Sequence, residues 1–488
     1  MSNKLLDWNQ MDGKLYSNGW RAGVNNMDAI EPATGQIIGK VALGSAEIIA
    51  EAAKIAVSAQ QEWVKVPPEE KRSLFLKVDS LLHKYANEIS EWTMREIGAT
   101  RSKAYFEIDF CSDEFLEAAS YPTQHFGTFL ADRNERKSYA IRVPYGVVAA
   151  ITPSNVPLIL AARVIAPAIA TGNAVLLRPH PSSIICGGFV FARLFEEAGL
   201  PDGLLHVIPA RGKDNEAFEI DPNISMIHFT GSSSTGKKIA EIASRSLKKV
   251  SISGSGKNPF VVLDDVEDMD AVISNALFST FFMGGQSCMT AGRHLVHSSL
   301  YHEYIQSLVA AAKKLVVDNP MTNPDAFFGP MIQPKSVQRQ VKLVQDAVDK
   351  GATLHLGGDA KGSFFYPTVL SDVTPEMQAW QQEIFGPIAA ITPFDNDREA
   401  IALANDTPYG LSGAVFGSPK RATRVAEQIH TGMIHINDRS PDDSAYVPFG
   451  GVKFSGNGGR YGSYVNWEEY TQWRWFTVSD RPSLIALK

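Results

Sequence analysis

Three cysteines in 488 residues, Cys111, Cys186 and Cys288, are too few for a disulfide framework. They point to a reducing compartment, where each thiol is either an inert core filler or a nucleophile. Positive charge is also scarce. There are 46 Lys+Arg against 53 Asp+Glu, a net charge of −7 with a pI near 5.9, so no global basic face offers itself to nucleic acid. The start of the chain has Lys4 and Asp7 inside any would-be apolar stretch and does not read as a signal peptide, so a cytoplasmic protein is expected. The run from Tyr145 to Leu177 has Arg163 as its only charge, but Gly146, Pro153, Pro157, Pro167 and Gly172 break it into strand, loop and short helix. It therefore predicts a buried α/β core and no membrane span. Low-complexity linkers, repeats of roughly 20–50 residues and the dinucleotide fingerprint G-x-G-x-x-G are missing too.

What remains is ample apolar material, 44% of the chain against 20% charged, enough for a large core and for about three domains at ~150 residues each. From Pro67 the run Pro-Pro-Glu-Glu-Lys-Arg-Ser-Leu-Phe-Leu has prolines and acids in its first turn and apolar residues at helical spacing, which predicts an exposed amphipathic helix. Tyr145 to Thr152 and Val175-Leu-Leu read as buried strands, and Ile184 to Leu200 as a helix stopped by Gly199-Leu-Pro201. His206-Val-Ile-Pro and Met226-Ile-His-Phe-Thr repeat the short strand, each followed by turn residues and a helical stretch. Such alternation predicts a parallel sheet with crossovers. It restarts at Phe260-Val-Val-Leu-Asp and runs to about Ile436, which places a boundary near Ser251 to Gly256. Tyr121 to Arg142, polar and hairpin-like, and the aromatic tail Trp467 to Phe476 fit neither unit. They are either an oligomer interface or ordinary edge strands.

Gly231-Ser232-Ser-Ser-Thr-Gly236-Lys237-Lys238 follows a strand and opens a helix. Lys238 stands where the phosphate-binding pattern of nucleotide triphosphatases needs a hydroxyl for Mg²⁺, so that class is excluded. The turn is either a plain tight connection or a cradle of N–H groups for a cofactor phosphate. Cys288 lies in Gly284-Gly-Gln-Ser-Cys-Met-Thr-Ala-Gly-Arg293. Small neighbours allow close backbone approach to the sulfur, and a helix following it would favour thiolate. Cys111 and Cys186 read as fillers. His294, His297 and His302 alternate with apolar residues as in a strand, with no carboxylate or cysteine to complete a metal site, so a structural role is expected.

Six stretches in order resemble the aldehyde dehydrogenase superfamily: Ile151-Thr-Pro-Ser-Asn-Val-Pro157, Ala166-Pro-Ala-Ile-Ala-Thr-Gly-Asn173, Phe229-Thr-Gly-Ser232, Gly285-Gln-Ser-Cys288, Glu383-Ile-Phe-Gly-Pro387 and Pro448-Phe-Gly-Gly451. The run Cys288 to His297 is similar to the benzaldehyde and other aromatic-aldehyde dehydrogenases. The resemblance implies an α/β protein with a Rossmann-like cofactor domain (residues 1–120 and 143–251), an α/β catalytic domain (252–440) and β bridging elements (121–142 and 441–488) that make a homodimer or homotetramer. It implies that Cys288 attacks the aldehyde and that Asn155 and the Cys288 N–H hold the oxyanion. Gly231 and Ser232 would meet the pyrophosphate of NAD or NADP, Glu383 the nicotinamide ribose, and Phe385 would pack beside it. Val156, Leu160, Arg163, Tyr446 and Phe449 would line the tunnel of an aromatic aldehyde, with Arg163 either pairing with a polar substituent or turned outward as a solvated charge.

Three departures from the family pattern stand out. Where the family usually reads Glu-Leu-Gly-Gly-Lys, this chain has Ser253-Gly-Ser-Gly-Lys257, so the general base for deacylation is replaced by Ser253, at a typical cost of ~10²–10⁴ in rate. Where it usually reads Lys-Pro-Ser-Glu, the chain has Arg178-Pro-His-Pro181. The ribose-binding acid is gone and Arg178 could pair with a 2′-phosphate, which leaves NADP open beside NAD. Ser154 replaces a bulky residue beside the oxyanion Asn. Without the base, the alternatives to aldehyde oxidation are acyl transfer to coenzyme A or another acceptor, and a catalytically silent binding protein.

Overall fold

The computed structural model describes residues 4–133 and 136–482; parts of the expected bridging segments, 134–135 and 483–488, lie outside the described residues. Two seven-stranded sheets dominate. In the first, Lys249–Ser253, Met226–Thr230, Val147–Ile151, Ala174–Arg178 and Leu205–Val207 lie side by side in parallel, and Leu15–Ser17 and Trp20–Arg21 extend the edge in antiparallel fashion. The strands at 147–151 and 226–230 are buried at every position, as parallel strands covered on both faces must be. The low-charge run Tyr145 to Leu177 is core as expected. Its helix, Pro157–Ala170, is buried along its whole length, Arg163 included.

In the second sheet the order is Thr353–Leu356, Thr368–Ser371, Ile388–Phe394, Ala291–His297, Asn258–Val262, Ala414–Phe416 and His435–Ile436, parallel except at the first pair. The side-chain period of two sends Phe260 and Val262 into one apolar cluster and Val261 and Leu263 into the other. Each such buried side chain contributes about 1.5–3 kcal/mol. Only four residues, 254–257, join the two sheets, and they are pinned: Lys257, 1% exposed, donates its Nζ hydrogens to the carbonyls of Gly292 (2.9 Å) and Ala379 (2.6 Å).

The helix expected from Pro67 spans Pro68–Lys84 and buries Leu74, Phe75, Val78 and Leu82 while its other face stays wet. The helix expected over 184–200 opens with a π-helical turn, Ile185–Phe189, and ends at Ala198, with Gly199 at φ 92° where a side chain would be strained. Gly127–Arg133, Arg136–Pro144 and Thr471–Val478 form a separate three-stranded antiparallel sheet. The aromatic tail is not strand throughout: Asn466–Tyr470 is a short helix before the strand begins. Among the described residues no helix is long and apolar enough to cross a membrane.

Candidate active site

Cys288 sits on the loop between the helix Met269–Phe281 and the strand Ala291–His297. Met283, Gly284 and Gly285 carry the chain out of the helix through positive φ. At Gly285 a Cβ would lie 2.2 Å from the Gly386 carbonyl, so only glycine brings this loop against the segment that carries Glu383. On the other side, a Cβ at Gly256 would lie 2.0 Å from the carbonyl of Cys288. Asn258 Nδ2 donates to the Cys288 and Thr290 carbonyls, both at 2.8 Å. The loop is thus fixed from both sides.

The element after Cys288 is a strand, which corrects the expectation of a following helix: no helix N-terminus faces the sulfur. The electrostatics agree. Burial pushes the thiol up to about 12, with the negative charges of Glu383 and Asp443 adding to it, so at rest it is protonated. Cys111 and Cys186 are fully buried, and burial raises their thiols as well, as suits fillers.

Cys288 lies in a tunnel of about 340 Å³ whose walls include Val156, Leu160 and Phe449, as expected, together with Asn155 and Thr230. Its other aromatic wall residues are Phe106 and Phe110 on the helix Arg101–Ser120, and Phe278 and Phe282. These four were not singled out from sequence. Their only signal is the i, i+4 spacing of each pair: Phe106 and Phe110 share one face of their helix, while Phe282 lies just past the end of the helix that carries Phe278 and stacks on it with centroids 4.4 Å apart. Tyr446 is corrected: it is half exposed, with its hydroxyl donating to Asp113 at 2.9 Å, and does not line the tunnel.

Arg163 takes neither expected course. It is 1% exposed, its Nε donates to Glu114 (3.0 Å), its Nη2 to Asp443 (2.9 Å) and to the Ser444 carbonyl (2.9 Å), and its Nη1 to the other Asp443 oxygen. The guanidinium also stacks near the rings of Phe110 and Phe449, with centroids at 4.9 and 5.0 Å. A cation buried with two acids is a wall component, not a free partner for a substrate anion. Burial holds Glu114 up at about 7 despite the opposing Arg163 charge. At the same wall Arg439 pairs with Asp442 at 2.9 Å.

Ser253 ends the edge strand of the first sheet, 1% exposed, with its Oγ unpartnered. Tyr461, 2% exposed and close to both Ser253 and Thr230, has an unpartnered hydroxyl as well. The Ser253 side chain therefore meets hydroxyls and makes no hydrogen bond to a carboxylate. Glu383 is committed elsewhere: its Oε1 accepts the Gly256 N–H at 3.0 Å. Burial raises its pKa, partly offset by the hydrogen bonds from Ser255 and Gly256. Phe385, two residues on, is half buried at φ 50°.

On the other side of the sheet junction, Gly231 turns the strand Met226–Thr230 into the helix Ser233–Ser244. A Cβ on Gly231 would lie 2.6 Å from the Phe229 ring, and Ser232 caps the helix by accepting the Thr235 N–H at 3.3 Å. Arg178 closes the strand Ala174–Arg178, partly buried and without a hydrogen-bond or ion-pair partner among the described residues. Burial lowers its pKa, opposed by the negative charge of Glu219. His294 is buried against Thr280 (2.9 Å) and Tyr304 (2.7 Å), and His297 contacts Ser299 and the Asp395 carbonyl. Among the described residues no cluster of His, Cys, Asp or Glu is arranged to hold a metal.

Two α/β sheets joined by residues 254–257, which pack against the loop of a tunnel cysteine, with a separate hairpin-plus-tail sheet, are the architecture of one enzyme class. Residues 20–476 match the model of the aldehyde dehydrogenase family, and the chain belongs to that family. It is 40% identical over 477 residues to the vanillin dehydrogenase of Amycolatopsis sp. (97% of this chain, 98% of that one). It is 39% identical over 476 residues to the benzaldehyde dehydrogenase [NAD(+)] of Pseudomonas putida (96% and 97%). The solved structure of a salicylaldehyde dehydrogenase from Pseudomonas putida G7, complexed with salicylaldehyde, superposes with a TM-score of 0.94 at 32% identity, covering 98% of this chain and 100% of that one.

Proposed function

We propose that the protein oxidises uncharged aromatic aldehydes to their acids with NAD or NADP, through a thioester on Cys288. The observation that carries this reading is the aromatic tunnel that ends at Cys288 beside Asn155. Relatives named for vanillin, benzaldehyde and salicylaldehyde support the substrate class. The sulfur forms a bond to the carbonyl carbon as its proton leaves, and the oxygen takes up the charge. The Asn155 amide and the Cys288 N–H hold that charge, each such donor being worth about 3–4 kcal/mol. The nicotinamide supplies the hydride acceptor. Arg178, Gly231 and Ser232 would hold the cofactor's phosphate-bearing half and Glu383 its nicotinamide ribose, with Phe385 beside it. The unpartnered Arg178 cation and the strand-to-helix turn at the carboxyl edge of the sheet suit that group.

Water must then cleave the thioester without the family's usual carboxylate, because Ser253 has no usable basicity. Deacylation is therefore the slow step. Because the donors of Arg163 are occupied by Glu114, Asp443 and Ser444, the tunnel admits neutral or hydroxylated rings and disfavours carboxylated ones. The first sheet is assigned to cofactor binding, the second to catalysis, and the hairpin-plus-tail sheet to a homodimer or homotetramer. Support for the last is that Phe129 is 91% exposed, with Trp473 and Trp475 half exposed on the same sheet. Initial rates with benzaldehyde, hydroxybenzaldehydes, 4-carboxybenzaldehyde and hexanal, each with NAD⁺ and NADP⁺, test the substrate reading. The expected order of kcat/KM puts the neutral aromatic compounds first, with no activity in Cys288→Ala. A preference for hexanal or the carboxylated ring would refute it.

A further inference from the structure

Lys103 and Glu107 form an ion pair four residues apart on the helix Arg101–Ser120, 4% and 0% exposed. A buried pair of this kind gains little stability over two well-packed apolar side chains, because desolvation offsets the attraction. What an apolar pair could not do is hold backbone. Lys103 Nζ donates to the carbonyl of Asn155 at 2.8 Å, while Glu107 Oε2 accepts the N–H groups of Leu158 (2.9 Å) and Ile159 (3.4 Å). Those two N–H groups belong to the first turn of the helix Pro157–Ala170, which has no side-chain cap of its own at Val156. One ion pair from a remote helix therefore clamps both ends of the five-residue stretch 155–159, and Asn155 stands at its start.

We propose that Lys103 and Glu107 are positioning residues for the oxyanion hole, fixing the backbone of Asn155 so that its amide donor meets the developing charge. This rests on Asn155 being that donor. Lys103 holds the peptide from the carbonyl side, so the side chain has only its own rotamers left to vary. Glu107 fixes the helix start, so the 155–159 stretch cannot slide along the tunnel wall. Neither residue touches the reacting atoms in this role. A misplacement of about 1 Å in such a donor costs on the order of 10²-fold in rate.

The test is the burst of reduced cofactor on rapid mixing of the holoenzyme with benzaldehyde and saturating NAD⁺ or NADP⁺, in wild type, Lys103→Met, Lys103→Arg, Glu107→Gln, Asn155→Ala and the Lys103→Met/Asn155→Ala double variant. Burst amplitude counts folded sites, and the burst rate constant reports the oxyanion geometry. Lys103→Met is expected to slow the burst about 10- to 100-fold at unchanged amplitude and cofactor Kd. Lys103→Arg should recover most of the rate, and Lys103→Met should cost nothing further in the Asn155→Ala background. If Lys103→Met proves insoluble, Glu107→Gln, nearly the same in shape, is read by the same rate constant. A lowered amplitude or Tm at an intact rate constant, or additive effects in the double variant, overturns the proposal by reducing the pair to scaffolding. An unchanged burst rate in Asn155→Ala overturns the oxyanion assignment and this inference with it, whereas a slow Asn155→Ala beside an unaffected Lys103→Met overturns this inference alone.

Discussion

Placing a carboxylate at position 253 should speed the release of the acyl group from Cys288. In the wild type the Tyr461 hydroxyl is buried close to Ser253, so Ser253→Glu would place its carboxylate beside that one hydroxyl donor. Burial at a site 1% exposed would raise that carboxyl from its ordinary value toward neutrality, the range in which a general base is most effective. Such a base is worth ~10²–10⁴ in rate, or about 2.7–5.4 kcal/mol of barrier at 1.36 kcal/mol per decade. Stopped-flow absorbance after mixing benzaldehyde with excess oxidised cofactor reads both steps. The wild type should release one equivalent of reduced cofactor per site and then turn over slowly. In Ser253→Glu the slow phase should accelerate by the stated factor until the burst disappears. Steady wild-type turnover with no burst would refute the reasoning, as would a folded, cofactor-binding Ser253→Glu with an unchanged slow phase.

Two further outcomes follow from the same geometry. Because burial and the Glu383 and Asp443 charges keep the Cys288 thiol neutral with a value near 12, its alkylation by iodoacetamide in the free enzyme should rise continuously from pH 7 to 10. Glu383→Gln, which removes one of those negative charges, should make it faster at every pH, and a plateau near neutrality in the wild type would contradict this. For the assembly, Phe129→Asp with Trp475→Asp puts two charges on the hairpin-plus-tail sheet and should shift the particle to a smaller mass by light scattering. An unchanged mass would remove that sheet from the interface.

Much of the fold was legible because its signals are local. The strands at 147–151 and 226–230 are apolar runs bounded by breakers, and Gly199 ends its helix at positive φ as its position suggests. The glycines around the thiol loop were legible too, since Gly285 is needed for its contact with Gly386 and Gly256, in the facing connection, for the approach to the Cys288 carbonyl. What was missed depends on distant partners. Leu15–Ser17 joins the first sheet only by pairing with Leu205–Val207, and the helical start of the tail is too short to show a period. Arg163 could not be placed from its neighbours in sequence because Glu114 lies 49 positions away and Asp443 280. Tyr446 sits between tunnel residues in sequence, yet its hydroxyl follows Asp113 to the surface.

The Arg163 cluster makes three widely separated positions a single unit of change. Replacing the arginine alone strands two acids in the core, and replacing either acid alone leaves the cation undercompensated; removing one partner of a buried pair typically costs about 3–5 kcal/mol. The tunnel behind the aldehyde therefore cannot be reshaped by single steps at this wall. A redesign for larger rings would have to exchange positions 163, 114 and 443 together for apolar groups of matching volume, and any natural drift in substrate range is channelled instead to Phe106 and Phe282, whose rings lie outside that charge network.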